Sequence, residues 1–160
     1  PNAHALRHII IDIIPELEKK TDAPFIVLVT GRVIYREYEY LKKMKHPRYI
    51  YAGFVEDVDT YFTGSNIFIN PLIYGGGVKV KLVEALSFGL PVISYASGAH
   101  GVDLDTTASK LVIIKDSDKK AFAEAVISNW DNKNKLPPEF FSSYSWTVIS
   151  GAVSQRISQL

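Results

Sequence analysis

Asn70-Pro-Leu-Ile-Tyr-Gly75-Gly-Gly77-Val-Lys79-Val-Lys81-Leu-Val-Glu84-Ala-Leu-Ser-Phe-Gly89-Leu-Pro91-Val-Ile-Ser94 carries the pattern that decides the fold of this chain. It reads as a strand end, a glycine loop, a helix from about Gly77 to Phe88, a glycine stop at Gly89 and another strand. Gly75, Gly76 and Gly77 stand where the helix should begin. Their bare backbone admits close approach, and the free N–H groups of a helix start attract anions. Lys79 and Lys81 follow at once, and Glu84 comes two turns in. Together they form a cradle suited to a phosphorylated, hydroxyl-bearing ligand such as a nucleotide sugar.

Outward from this stretch, strands and helices alternate. Leu6, Ile9, Ile10, Ile13 and Leu17 recur at helical spacing over residues 3–20, with Pro15 expected to kink or restart the helix. Short apolar runs at 25–30, 49–52, 67–70, 91–95 and 111–114 read as buried parallel strands. Helices are expected at 35–44, 57–63 and 119–130, then a polar loop at 132–138. A last helix is marked by Trp146, Ile149, Val153, Ile157 and Leu160. The order predicts an α/β fold, a parallel sheet covered on both faces. Ligands of such sheets bind beyond the carboxyl ends of the strands. Four glycine-bearing loops, at Gly31, Gly53, Gly75–Gly77 and Gly98 with Gly101, should therefore line one edge.

The 160 residues suit one domain, residues 1–160, with a sizeable core. A net charge of +1 with 47% apolar residues argues against a general nucleic-acid binder. The absence of cysteine fits a reducing compartment and leaves no thiolate metal site. No apolar run is long enough to span a bilayer, and no signal peptide is visible. The opening at Pro1-Asn2, directly in a helical pattern, reads as a piece cut from a longer protein.

The glycine loop matches neither standard phosphate motif. The dinucleotide fingerprint needs glycine at Val80, and the P-loop needs glycine at Val80 and a hydroxyl at Leu82. In a helix starting at Gly77, residues 77, 81 and 84 share one face, while Val78, Leu82, Ala85 and Leu86 face the core. Glu84 then lies roughly 10 Å from the helix start, about the reach from a diphosphate to a ribose. A carboxylate can accept from two vicinal hydroxyls. Lys79 faces the ligand only if the helix starts later. The alternative reading of Lys81 and Glu84 is a surface ion pair at i, i+3.

The segment from Gly53 to Asp103 resembles the donor-binding domain of glycosyltransferase family 4, retaining enzymes of GT-B architecture. The resemblance rests on Gly53-Phe-Val-Glu-Asp57, Tyr61-Phe62, Ser65-Asn66-Ile67, Pro71 and the glycine loop, with Lys81-Leu-Val-Glu84-Ala-Leu86, Gly89-Leu-Pro-Val92 and Gly98-Ala-His-Gly101-Val-Asp103. Pro1-Asn2 with its helix, Val29-Thr-Gly31 and Ser145-Trp146 extend it over nearly the whole chain. The resemblance implies a Rossmann-like three-layer sandwich with a mostly parallel sheet, one half of a GT-B enzyme. It implies a nucleotide-sugar donor (UDP-, GDP- or ADP-linked), no metal and no cofactor, and transfer with retained anomeric configuration. Glu84 matches the glutamate that holds the donor ribose. Lys81 and Lys79 match basic residues near the diphosphate, and Gly75, Gly76 and Gly77 match the loop bent around it. Phe54 and Val55 match the border of the base. The catalytic residues are not assigned. Many members carry a second glutamate eight positions before the first. Gly76 stands there, as in a glycine-rich branch of the family, which often has arginine near the positions of Ile73 and Lys79.

The resemblance also implies a missing acceptor domain and a missing first strand, central in the sheet. A gap, direct pairing across it, and a strand borrowed from another copy are all open. The last helix should then expose an apolar stripe with Ile149, Val153 and Ile157, favouring self-association. The full-length protein is expected in the cytoplasm, with an alternative place at the inner face of a membrane. Two other functions are a nucleotide-sugar epimerase of the same architecture and a non-catalytic nucleotide-binding module.

Other residues read as structural. His4 and His8 have chelating spacing but no third ligand. Arg32 and Arg36 read as an exposed helix start rather than phosphate ligands. His100 stands at the crevice edge, as donor contact or solvated loop. Asp57, Asp59, Asp103 and Asp105 read as caps and turns. Trp130 and Trp146 read as core, and residues 116–120 as a solvated helix start.

Overall fold

The computed structural model describes residues 2–32 and 39–158. Helix α1 (Asn2–His8) runs through a π-helical turn at Ile9–Ile13 into α2 (Ile14–Lys20). Pro15 lies in the first turn of α2. Its ring has no N–H to give and crowds the carbonyl four residues back, so the helix widens there and Ile14 N–H bonds Ile9 O. The expected restart is thus a π turn. It keeps Ile9, Ile10, Ile13 and Ile14 all buried.

Among the described residues, five strands follow: β1 (Val27–Thr30), β2 (Tyr49–Gly53), β3 (Phe68–Asn70), β4 (Val92–Tyr95) and β5 (Leu111–Ile114). Every pairing between these strands is parallel, as expected. The sheet is divided, however, into β1–β2 and β3–β4–β5. Strand β4 is buried along its whole length and alternates faces, with Ile93 and Tyr95 in one cluster and Val92 in another.

One core cluster joins both sheets. It contains Ile13 and Ile14 of the first helical stretch, Tyr49 of β2, Ile93 and Tyr95 of β4, and Phe122 of α6 (Lys119–Asn129). Val27 and Val29 of β1, with Ile67 and Ile69 at β3, pack against it. The two sheets therefore lie under one helical layer. On the other face, α5 (Val80–Ser87) buries Leu82, Ala85 and Leu86 completely, together with Phe62 of α4 (Asp59–Thr63) and Phe140 of α7 (Pro138–Tyr144). Each such leucine or phenylalanine contributes about 1.5–3 kcal/mol by leaving water.

Among the described residues, covering on both faces holds for β3–β4–β5 and not for β1–β2. Ile26, Leu28 and Ile50 are 53%, 43% and 49% exposed. Helix α3 spans Glu39–Lys43, and the rest of the expected 35–44 helix lies partly outside the described residues, as does Arg36. Helix α7 was not expected: Pro138 starts it within a loop-like sequence, and burial of Phe140 holds it. Helix α8 (Trp146–Ile157) exposes Ile149, Val153 and Ile157 at 39%, 52% and 65%, the predicted stripe. The expectations for Leu160 and the Trp146 side chain fall outside what is described. Trp130 is half-buried at the wall of a cleft, not in the core, because α6 ends one residue before it. No described helix is long and apolar enough to cross a membrane.

Candidate functional site

The strand ends are fastened before the glycine loop begins. Asn70, last in β3, donates through Nδ2 to Ser94 Oγ at 2.9 Å and to Gly98 O at 3.0 Å. Both side chains are buried. This clamp fixes the loop after β3 against the loop after β4. A second contact reinforces it: a side chain at Gly101, where φ is +84°, would meet Val78 Cγ2 at 2.8 Å. Only glycine fits there without displacement. Asn70 stood in the quoted stretch without a role, and a polar residue ending an apolar strand was its one signal.

The helix starts three residues later than expected. Gly75 and Gly77 have φ of +104° and +70°, and Lys79 is extended, so α5 begins at Val80. Gly77 is therefore not on the helix face of Lys81 and Glu84, and Glu84 lies roughly 6 Å from the start rather than 10 Å. Lys79, the residue before the first turn, makes no side-chain cap bond, nor does any other described side chain, which leaves the first N–H groups for an anion. Lys79 faces the loop: Nζ donates to the carbonyls of Gly75, Gly76 and Gly77 at 3.0, 3.1 and 2.7 Å. It latches the loop on itself.

Lys81 and Glu84 are both exposed, and no ion pair joins them. The surface-pair reading is therefore not what the structure contains, and the Glu84 carboxylate is left available. At the ends of β1 and β2, Gly31 N–H donates to Gly53 O at 2.7 Å. Arg32 lies over the ring of Phe54, 4.2 Å from its centroid, and Phe54 is 61% exposed. Val55 beside it is half-buried. His100 is exposed in the turn after β4.

A hollow of about 170 Å³ adjoins the glycine loop through Tyr74. Its other walls include Pro71 and Ile73 after β3, Ser117 after β5, and His4, Arg7 and His8 of α1. From His8 and Asp12 in its wall runs a chain of polar groups that sequence reasoning missed. His8 Nδ1 lies 2.9 Å from Asp12 Oδ2, and His8 Nε2 lies 2.8 Å from Tyr95 Oη. An ionised carboxylate only accepts, so Nδ1 carries a proton, and in the neutral ring Nε2 then accepts from the tyrosine. Lys119 donates to Asp12 Oδ1 at 2.7 Å. That bond is the main reason the Asp12 carboxyl lies below the ordinary carboxylate range and the Lys119 ammonium above the lysine range. Burial first, then Asp118, Asp12 and Asp116, push the Tyr95 phenol up, so it stays a donor. His8 is thus committed to Asp12 and Tyr95, and no described cluster of His, Asp or Glu could hold a metal.

The charged stretch at 116–120 is correspondingly not all solvated. Lys119 pairs with Asp12, Asp116 accepts from Ser97, and Asp118 caps α6 through Ala121 N–H. Asp57 caps α4, accepting from Asp59 N–H at 3.0 Å and from the Thr60 hydroxyl. Asp103 accepts from Asp105 N–H in the turn before β5.

Residues 1–132 match the family described as glycosyl transferases group 1. A protein of Klebsiella pneumoniae, an uncharacterized 44.6 kDa protein in the cps region, is 30% identical over 91 residues. That match covers 57% of this chain and 23% of that protein. The fold is similar to that of Anabaena Alr3699/HepE in complex with UDP, with a TM-score of 0.73 and 14% identity. It is also similar to the same protein in complex with UDP-glucose, with a TM-score of 0.70 and 13% identity. Each structural match covers 92% of this chain and 44% of the other. The chain thus spans under half of the solved proteins it matches and about a quarter of the curated relative.

Proposed function

The chain belongs to the glycosyl transferases group 1 family, and from that premise we propose that it is the donor-binding part of a retaining glycosyltransferase that uses a nucleotide-diphosphate sugar. The carrying observation is the start of α5, placed after the glycine loop with no side-chain cap from Lys79, and the Glu84 carboxylate one turn on, which no described residue pairs with. The diphosphate lies at the N–H groups of Gly76 to Lys81, where backbone dipoles and the lysines offset its charge. Lys79 leaves the three loop carbonyls for phosphate oxygens as the donor enters. Lys81 approaches the diphosphate from the first turn. Glu84 accepts from the ribose hydroxyls, and Phe54, braced by Arg32, borders the base with Val55.

The donor is UDP-linked. Support comes from the relative of the same fold that was solved with UDP and with UDP-glucose. The sugar transferred is a hexose, and the chemistry needs no metal because positive charge and helix dipole stabilise the departing diphosphate. An acceptor-binding domain and a first strand precede this domain. The strand fills the gap between β1 and β3, where one more parallel strand would join the two sheets. Alone, the domain binds donor weakly and transfers little. The whole enzyme works in the cytoplasm, at the inner face of a membrane if its acceptor is lipid-linked.

The test is calorimetric titration with UDP-, GDP- and ADP-glucose, on the wild type and Glu84→Ala. UDP-glucose should bind selectively, and the variant should lose tenfold or more, about 1.4 kcal/mol. Equal affinity in both would remove Glu84 from the ribose, and selective binding of GDP- or ADP-glucose would overturn the base assignment.

A further inference from the structure

A larger cleft, about 550 Å³, opens at the other edge of the three-stranded sheet. Asn66, Pro91 and Lys110 line it, each just before a strand begins, whereas the glycine loop follows strand ends. The four residues of β4 separate the two edges by roughly 13 Å. Nothing in the donor-binding reading uses this cleft.

Lys110 is 2% exposed at its floor. Nζ donates to Gly89 O at 2.6 Å and Asn132 O at 2.9 Å. An ammonium has three protons to donate, so one is left without a protein acceptor among the described residues. No described carboxylate pairs with it, and Asp131, the acid of the cleft, is taken by Lys133 at 3.1 Å. A buried cation without a counter-charge is unfavourable, and burial pushes this ammonium below the usual lysine range. The chain nevertheless holds it there. Ala108 and Ser109, directly before it, both adopt left-handed backbone with φ of 50° and 61°. Their carbonyls are fastened by the side-chain amides of Asn134 and Asn132.

The walls are aromatic and braced from behind. Phe88 is 41% exposed and stacks on Phe62 at 5.2 Å. Phe141 is 49% exposed and stands edge-on to Phe140 at 5.5 Å. Trp130 is half-buried beside them, and Lys133 and Lys135 stand exposed at the rim. Flat apolar rings suit the C–H faces of a pyranose, and three lysines against one aspartate suit a negative charge. The volume is that of a small-molecule site.

We propose that this cleft binds an acidic saccharide. The carboxylate of a uronic-acid unit accepts a hydrogen bond from the free N–H of the Lys110 ammonium, the rim lysines add positive charge beside it, and the sugar ring rests on the aromatic walls.

The experiment is an NMR titration of the protein with a glucuronate-containing disaccharide, its neutral glucose counterpart and inorganic phosphate, read at the Trp130 indole N–H and the Gly89 and Asn132 amides. The acidic disaccharide should saturate these shifts by about 10 mM, and the other two should bind at least tenfold more weakly. Lys110→Met should abolish the shifts. Because that change also frees two carbonyls, Lys133→Gln/Lys135→Gln and Phe141→Ala, all at exposed positions, provide the independent arm: each should weaken binding threefold or more with the melting temperature unchanged. UDP should not displace the disaccharide. Absent shifts, equal binding of the neutral sugar, phosphate binding as tightly (an anion site alone), full affinity in the rim variants, or displacement by UDP would each overturn the proposal.

Discussion

Replacing Gly98 by alanine should destabilise the protein by about 3 kcal/mol. Gly98 is buried in the short 3-10 turn after β4. A Cβ there would stand 2.6 Å from Asn70 Nδ2, 2.7 Å from Ser94 Oγ and 3.1 Å from Asn70 O. Contacts that short force movement, yet Asn70 and Ser94 are 7% and 0% exposed and cannot swing into water. Overpacking of this kind costs about 1–3 kcal/mol. Weakening the bonds from Asn70 Nδ2 to Gly98 O and Ser94 Oγ adds about 1 kcal/mol. With a urea slope of about 2 kcal/mol/M, the midpoint should fall by about 1.5 M. The decisive arm is a double-mutant cycle. On an Asn70→Ala background the two atoms nearest the new methyl are reduced to one, so Gly98→Ala should cost about 1 kcal/mol and the coupling should be about 2 kcal/mol. A midpoint within about 0.3 M of wild type, or strict additivity, would refute the claim that Asn70, Ser94 and Gly98 form one packed clamp. Because the clamp sets the loop after β3 against the loop after β4, the variant should also weaken UDP-glucose binding.

Three further outcomes follow from the geometry. The Asp12 carboxyl is held low by Lys119 and His8, so its stabilising effect is present above its unfolded value near 3.8 and is lost as the pH falls through the lower folded value. Thermal melts should therefore show Asp12→Asn flattening the acid limb below about pH 4, and an unchanged limb would remove Asp12 from it. In the divided sheet, Val27 N–H is bonded to Arg48 O and Phe68 N–H to Pro91 O, so by strand alternation the amides of Leu28, Thr30 and Ile69 turn away from those partners. Hydrogen exchange should find those three roughly tenfold faster than their neighbours, and equal protection would mean that the gap is closed in solution. Finally, sedimentation should show concentration-dependent association through the exposed Ile149, Val153 and Ile157 stripe, abolished by changing all three to serine. A monomer at all concentrations would dismiss that surface as an interface.

Much of the fold was legible because its signals are local. Continuous apolar runs marked β4 and β5, helical spacing marked the buried isoleucines before Pro15 and Leu17 after it, and Gly89 marked the end of α5. The family-bearing residues Gly75–Gly77, Lys81 and Glu84 were legible for the same reason: they are neighbours in sequence. The start of α5 was not, because the left-handed glycines and the Lys79 latch on three carbonyls compete with helix extension in a way that spacing does not encode.

Sequence alone determined the parallel α/β character, the glycine loop at a helix start and the family to which the chain belongs, all properties of contiguous residues. Tertiary structure decided the rest. The His8–Tyr95 contact joins positions 87 apart, and Lys119–Asp12 joins positions 107 apart. The burial of Lys110 depends on carbonyls more than 20 residues away on either side. The division of the sheet was also decided there, since a strand's pattern records which of its faces is buried but not which strand lies at its edge. Such pairings depend on where the chain returns in space, and only the packed molecule fixes that.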